Sequence, residues 1–179
     1  MILSRKSSNQ LSLRSKKMLA MLGKLSLGLI MGFGGLGSSL GIKAAGTAAA
    51  AGWAKEGKEG KPLSGKFSGL VGMPVSQTLY CMILYFLMEP FAGVPENGGV
   101  LFGIALGVGM CELISAYVQG MIGGAGIRAL VDNGGKGFGN IIVAMGIAES
   151  VGLFAMVVGI LILNSNVMVK AAEIAATAP

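Results

Sequence analysis

Glu149 lies 13 residues beyond Lys136 and 14 before Leu163 in an otherwise apolar stretch. At about 1.5 Å of rise per residue, that spacing puts a carboxylate near the middle of a membrane-spanning helix, where ionisable groups are costly and functional by default. Its neighbours Ile147, Ala148, Ser150 and Val151 carry no positive charge, so the side chain needs a bound cation or a proton. Gln77 is 11 residues from Lys66 and 12 from Glu89, again midway, with Ser76 just before it and Tyr80 one turn on along the same helical side. Gln119 is 12 residues from Val131, at the same depth. Three stretches therefore bring oxygen-bearing side chains to one level. A carboxylate, amide carbonyls and a hydroxyl suit a hard cation, and one carboxylate suits a monovalent one. The competing reading is ordinary hydrogen bonding of amides and hydroxyls between helices, with Glu149 protonated.

Two more charges fall inside apolar stretches. Lys43 lies toward the end of the first stretch that precedes the lysine-rich loop and can snorkel to the interface. Glu112 lies two turns before Gln119 on the same side, which permits a half-channel or secondary-site role, but no partner set accompanies it, and it is expected to be protonated or hydrogen-bonded. Pro74 has no N–H, so the Leu70 carbonyl loses its helical partner and the backbone can bend there.

The elements that position these residues follow from composition. Of 179 residues, 53% are hydrophobic and only 12% charged, and 31 are glycine, against roughly 25% charged in an ordinary soluble domain. A soluble enzyme fold and a disordered chain are both excluded. Histidine is absent and Cys81 and Cys111 sit in apolar runs, so no disulfide framework, zinc site or nucleophile–histidine pair is available; no catalytic site is read in this chain, nor any nucleic-acid partner. The apolar stretches run from about Met18 to Ala54, Phe67 to Met88, Gly99 to Val131 and Gly137 to Leu163. Each is long enough to cross a bilayer core, and none shows the alternation of a barrel strand. The fold class is an all-α membrane protein, integral and multi-pass, with four transmembrane helices in two hairpins. A basic N-terminal tail covers 1–17, the first hairpin 18–92, the second hairpin 98–165 and a C-terminal tail 166–179.

Lysine and arginine placement sets orientation. The first loop carries Lys55, Lys58, Lys61 and Lys66 and the third Arg128 and Lys136, while the second has neither residue type, so loops one and three are expected to be cytoplasmic. The tail, with Arg5, Lys6, Arg14, Lys16 and Lys17, points the other way; the three mutually consistent loops outweigh it. The tail reads as a solvated or headgroup-binding extension in preference to a signal peptide, because Lys24 interrupts the apolar core such a peptide needs.

Spans one and three are rich in Gly and Ala at spacings of three and four, which lets membrane helices approach closely. Spans two and four are bulkier, each with one polar cluster. Setting Gln77 against Glu149, an offset of 72, also aligns Val71 with Val143 and Met73 with Met145. The chain reads as a duplicated hairpin.

Four segments in order, Gly35-Leu36-Gly37-Ser38-Ser39, Met73 through Tyr80, Val118-Gln119-Gly120 through Gly126-Ile127, and Ala144 through Phe154, resemble the membrane-ring proteolipid (the K- or c-type ring protein) of bacterial V-type ATPases, most of all the sodium-translocating members. The likeness covers about residues 25 to 165. It implies a homo-oligomeric rotor ring in the bacterial cytoplasmic membrane, turning against a stator membrane subunit that bears an arginine, with central-stalk subunits at loops 55–66 and 128–136. It also implies that Glu149, Gln119, Gln77, Ser76 and the backbone carbonyl of Met73 hold Na+, with Tyr80 hydrogen-bonded to the glutamate. Ser76 stands where the sodium members have threonine, and the basic tail departs from their short polar start. A proton is the alternative cargo, although the three polar partners of Glu149 favour Na+. A small four-helix proton-coupled exporter is a further alternative, but it wants aromatics around a central chamber, and the only Trp, Trp53, lies at a helix end.

Overall fold

The computed structural model describes residues 2–165 and Met168, with side-chain surroundings from residue 11 onward. The rest of segment 166–179, read above as a C-terminal tail, lies outside the described residues, as do the side chains of Arg5 and Lys6. Five α-helices form in order: α1 (Ile2–Lys58), α2 (Gly65–Gly72), α3 (Ser76–Met88), α4 (Gly98–Asp132) and α5 (Phe138–Leu163). Four helical spans, Leu11–Lys58, Gly65–Phe91, Pro95–Asp132 and Phe138–Leu163, have the length and hydropathy to cross a membrane, in agreement with the four-helix expectation. In lipid every backbone group must be bonded within its own segment, which is why glycine-rich sequence that would fray in water stays helical here.

The second span is α2 and α3 joined by a 3₁₀ turn, Met73–Val75. Pro74 sets that break by removing the donor for the Leu70 carbonyl. The freed carbonyl faces Gly123 of α4, where an added Cβ would lie 3.2 Å from the Leu70 oxygen. α1 is continuous from Ile2 through the first span. Its 57 residues extend about 85 Å at 1.5 Å each.

The tightest helix pair is α1 with α4. Gly41 and Gly120 interlock so closely that a Cβ on either would collide with the other helix's backbone: Gly120 with Gly41, and Gly41 with the Ala116 carbonyl. The small-residue spans thus pack backbone on backbone, as their spacing implies, while α5 packs chiefly on α4 and α3 chiefly on α1. Not every glycine takes part. A Cβ added at Gly28, Gly32 or Gly35 of α1, or at Gly103 or Gly107 of α4, would meet no other part of the described protein within 4 Å.

Two apolar cores result. One, around Ile30, Leu84, Met88, Leu101 and Ile104, fills the end near the α3–α4 connection. The other, around Ala49, Phe67, Leu70, Ile127 and Met145, fills the end with the two lysine-bearing loops. The buried polar residues Gln77, Glu112, Ser115 and Gln119 lie between them. The loops are fastened to each other and to the helices: Trp53 Nε1 donates to Ser64 O at 2.9 Å, Ser64 N donates to Glu56 Oε2 at 2.8 Å, and Lys66 Nζ donates to Gly135 O at 3.1 Å. The Asp132–Lys136 segment makes the expected turn, with Gly134 and Gly135 at positive φ of 70° and 84°, a conformation that glycine adopts without a side-chain clash.

Candidate ion-binding site

The polar layer draws on three helices and one turn. Glu149 of α5 is half-buried. Its Oε1 accepts from Tyr80 OH of α3 at 2.8 Å, and its Oε2 accepts from Gln119 Nε2 of α4 at 3.1 Å. Gln119 Nε2 also donates to Met145 O at 3.2 Å, so both of its hydrogens are engaged. Gln119 Oε1 accepts from Gln77 Nε2 at 3.3 Å, and the second hydrogen of that nitrogen goes to Ser115 Oγ at 3.1 Å. Ser115 passes its own proton to Ala148 O at 2.8 Å. The two glutamines are fully buried and serve as braces that aim one another and the carboxylate.

On the outer side of the braces oxygen is in surplus. Ser76 Oγ has one proton, and two oxygens stand within its reach, Met73 O at 3.0 Å and Gln77 Oε1 at 3.2 Å. Met73 O is aimed here by the 3₁₀ turn, whose capping N–H of Ser76 bonds the same carbonyl. Three neutral oxygens thus crowd around a single hydroxyl proton. Among the described residues no three His, Cys, Asp or Glu side chains gather, so the donor chemistry is one carboxylate with neutral oxygens.

The residues read from the sequence as ion ligands or their partner, Met73, Ser76, Gln77, Tyr80, Gln119 and Glu149, are brought together in or beside this layer. Ser115 is a residue that sequence reasoning misses. Its signal is available, since it lies one turn before Gln119 on the same face of α4, but a serine in an apolar helix is usually bonded to its own backbone. Thr78 is a second omission: its hydroxyl lies 2.7 Å from Ser38 Oγ and 3.1 Å from Gly34 O, pinning α3 to α1 just beyond the layer. Lys43 is exposed on α1. Glu112 corrects an expectation: neither of its oxygens has a hydrogen-bond partner among the described residues, so the hydrogen-bonded alternative does not hold.

The model of the ATP synthase C-subunit family matches residues 25–88 and again 102–162. The chain belongs to this family. One match falls on each hairpin, which accords with a duplicated two-helix unit. No curated protein matches the chain. As an ATP synthase C-subunit family member the chain is an integral, multi-pass membrane proteolipid and belongs to the rotor ring of a rotary ATPase. Family members form a homo-oligomeric ring against a membrane stator, which sets aside the small-exporter alternative.

Proposed function

We propose that this proteolipid serves a bacterial V-type ATPase and carries one Na+ per protomer on Glu149. The supporting observation is an oxygen surplus tied to the carboxylate through Gln77 and Gln119: Met73 O, Ser76 Oγ and Gln77 Oε1 share one hydroxyl proton within 3.0–3.2 Å. A proton cargo asks only for the carboxyl and one partner, whereas this cluster offers the several oxygens that replace a metal ion's water shell. Gln119 and Tyr80 each hold one of the two carboxylate oxygens, which reduces the ordering needed when the ion arrives.

The cycle follows from the charge balance. A loaded site is neutral and tolerates lipid at modest cost, while an empty carboxylate in hydrocarbon costs several kcal/mol, about 2.5–3.5 on insertion scales. The ring can move an emptied protomer only where a stator cation or water receives it. A stator arginine near Glu149 stabilises the anion, competes with Na+ and releases it; the site then reloads from the other side. Gln77 stands in the first hairpin where the second has Glu149, so one ion accompanies four helices. Loops 55–66 and 128–136 are assigned to the cytoplasmic side and the central stalk by their lysines and arginine, and their mutual fastening through Lys66 and Gly135 suits a surface that bears torque.

Carbodiimide labelling of the purified ring, read by mass spectrometry with and without Na+, tests the assignment. Modification of Glu149 that Na+ slows is the expected result. Modification that Na+ does not slow at any pH replaces Na+ with a proton as cargo, and labelling confined to other residues removes Glu149 from the role.

A further inference from the structure

Glu112 has no place in the hydrogen-bonded layer, yet it is more deeply buried than Glu149. It lies on α4 two turns from Gln119 on the same face, with 0% of its surface exposed and neither carboxylate oxygen hydrogen-bonded among the described residues. Its head group rests against Gly152 of α5. A side chain begun at Gly152 would run into Glu112 Oε2, would stand 3.1 Å from Glu112 Cδ and would stand 3.2 Å from Ser115 Oγ, so the missing Cβ is the room the carboxyl occupies.

The charges around it are unfavourable to an anion. The titratable groups within its electrostatic reach are Tyr80 and Cys81 from α3 and Glu149 from α5. α1 carries no titratable residue between Lys24 and Lys43, the stretch that crosses this level. Among the described residues no cation faces the group, and its acidic neighbour would repel a second negative charge. A metal ion finds little to bind besides the carboxyl, because the adjacent Ser115 Oγ already donates to Ala148 O and accepts from Gln77 Nε2. A proton needs no such ligand set: it neutralises the carboxyl outright, and a neutral acid is far cheaper to bury than an anion.

We propose that Glu112 is a second cation-binding site of the protomer, selective for a proton, which it holds while Glu149 loads and releases its own ion. The inference stands whichever ion Glu149 carries. Its consequence for transport is electrostatic. An ionised Glu112 would add a second negative charge beside Glu149 and tighten the grip on the translocated cation; with Glu112 neutral, Glu149 is the one charge that answers the stator.

Infrared spectroscopy of the ring in lipid separates the possibilities, because a protonated carboxyl has a carbonyl stretch distinct from those of carboxylates and amides. The ring is prepared as Glu149→Gln, which removes the other intramembrane acid. The remaining acids among the described residues are exposed or, for Glu56, bonded to Ser64 N in a loop, so rapid exchange in heavy water sets them apart from a buried carboxyl. A protonated-carboxyl band at neutral pH, unchanged when Na+ replaces choline, slow to shift in heavy water and absent from Glu112→Gln/Glu149→Gln, is the expected result. No band in Glu149→Gln overturns the proposal, as does a band that Na+ abolishes, and that single variant decides even where the double variant does not assemble. In a ring carrying Glu112→Gln alone, the ion concentration that half-protects Glu149 from carbodiimide should stay within about twofold of the unsubstituted ring, since glutamine imitates the neutral acid; a tenfold shift overturns the proposal.

Discussion

Substituting Gly120 with alanine tests whether the α1–α4 contact holds the protomer together. The new Cβ would meet the Cα, C and O of Gly41, and backbone has no rotamer with which to yield. The helices must part by roughly 1 Å before ordinary contact is restored, and a gap of 0.5–1 Å forfeits about a quarter to a half of the dispersion attraction. Over roughly 40 atom pairs at about 0.15 kcal/mol each, the loss is about 2 kcal/mol, within the range of about 1–3 kcal/mol seen for overpacked interiors. Gly107→Ala on the same helix is the control. It meets nothing within 4 Å and gains up to about 1 kcal/mol of helix propensity. Titration of the detergent-solubilised chain with dodecyl sulfate, followed by circular dichroism, should show Gly120→Ala unfolding earlier and Gly107→Ala unfolding no earlier than the unsubstituted chain. Equal tolerance of the two alanines would refute the reasoning.

Tyr80→Phe removes the 2.8 Å bond to Glu149 Oε1. Hydrogen bonds to charged groups contribute about 1.5–3 kcal/mol, so the Na+ concentration giving half-protection against carbodiimide should rise at least about tenfold; an unchanged midpoint removes Tyr80 from the site. Ser115→Ala leaves a hydrogen of Gln77 Nε2 without its 3.1 Å acceptor and should weaken the same protection about fivefold, at about 1 kcal/mol per neutral bond. Lys55→Ala breaks an exposed 3.4 Å pair with Asp132 and should change unfolding by less than about 1 kcal/mol. In the first loop, the hydrogen bond and charge of Lys61 hold the Glu59 carboxyl below its ordinary range. The pair therefore opens at a lower pH than an unpaired glutamate would titrate, which the carboxyl carbon shift in NMR reports.

The four spans were legible because each is about as long as a bilayer is thick and is bounded by charges or turn residues. The level shared by Gln77, Gln119 and Glu149 was legible for the same reason: counting residues from a helix end measures depth. Rotation about the helix axis is harder to read. α1 and α4 carry small residues all round, so periodicity does not tell Gly41, pressed on α4, from Gly35, which meets nothing. Ser115 escaped notice on the same ground, since its role depends on which way α4 turns toward Gln77. The Met73 carbonyl came into view through family likeness, because backbone leaves no mark in side-chain type; only the Pro74 break hinted that a carbonyl nearby was free. Glu112 was visible as a charge without a partner set, but whether packed neighbours would lend it a hydrogen bond was not.

The length of α1 has a consequence at the scale of the assembly. A bilayer core takes up about 30 Å of a helix some 85 Å long, so a rod of comparable size stands clear of the bundle at the end away from the two lysine-bearing loops. Arg14, Lys16 and Lys17 ride on it, exposed. Arranged around a ring axis, such rods form a palisade, and every added copy sets another three cations in the same circular band. The rim becomes a collar of positive potential that grows with the number of protomers, repels its own members and is softened by salt over about 8 Å at physiological ionic strength. The helix that packs on α4 inside the protomer therefore carries, beyond the bundle, a charge that sets protomers against one another.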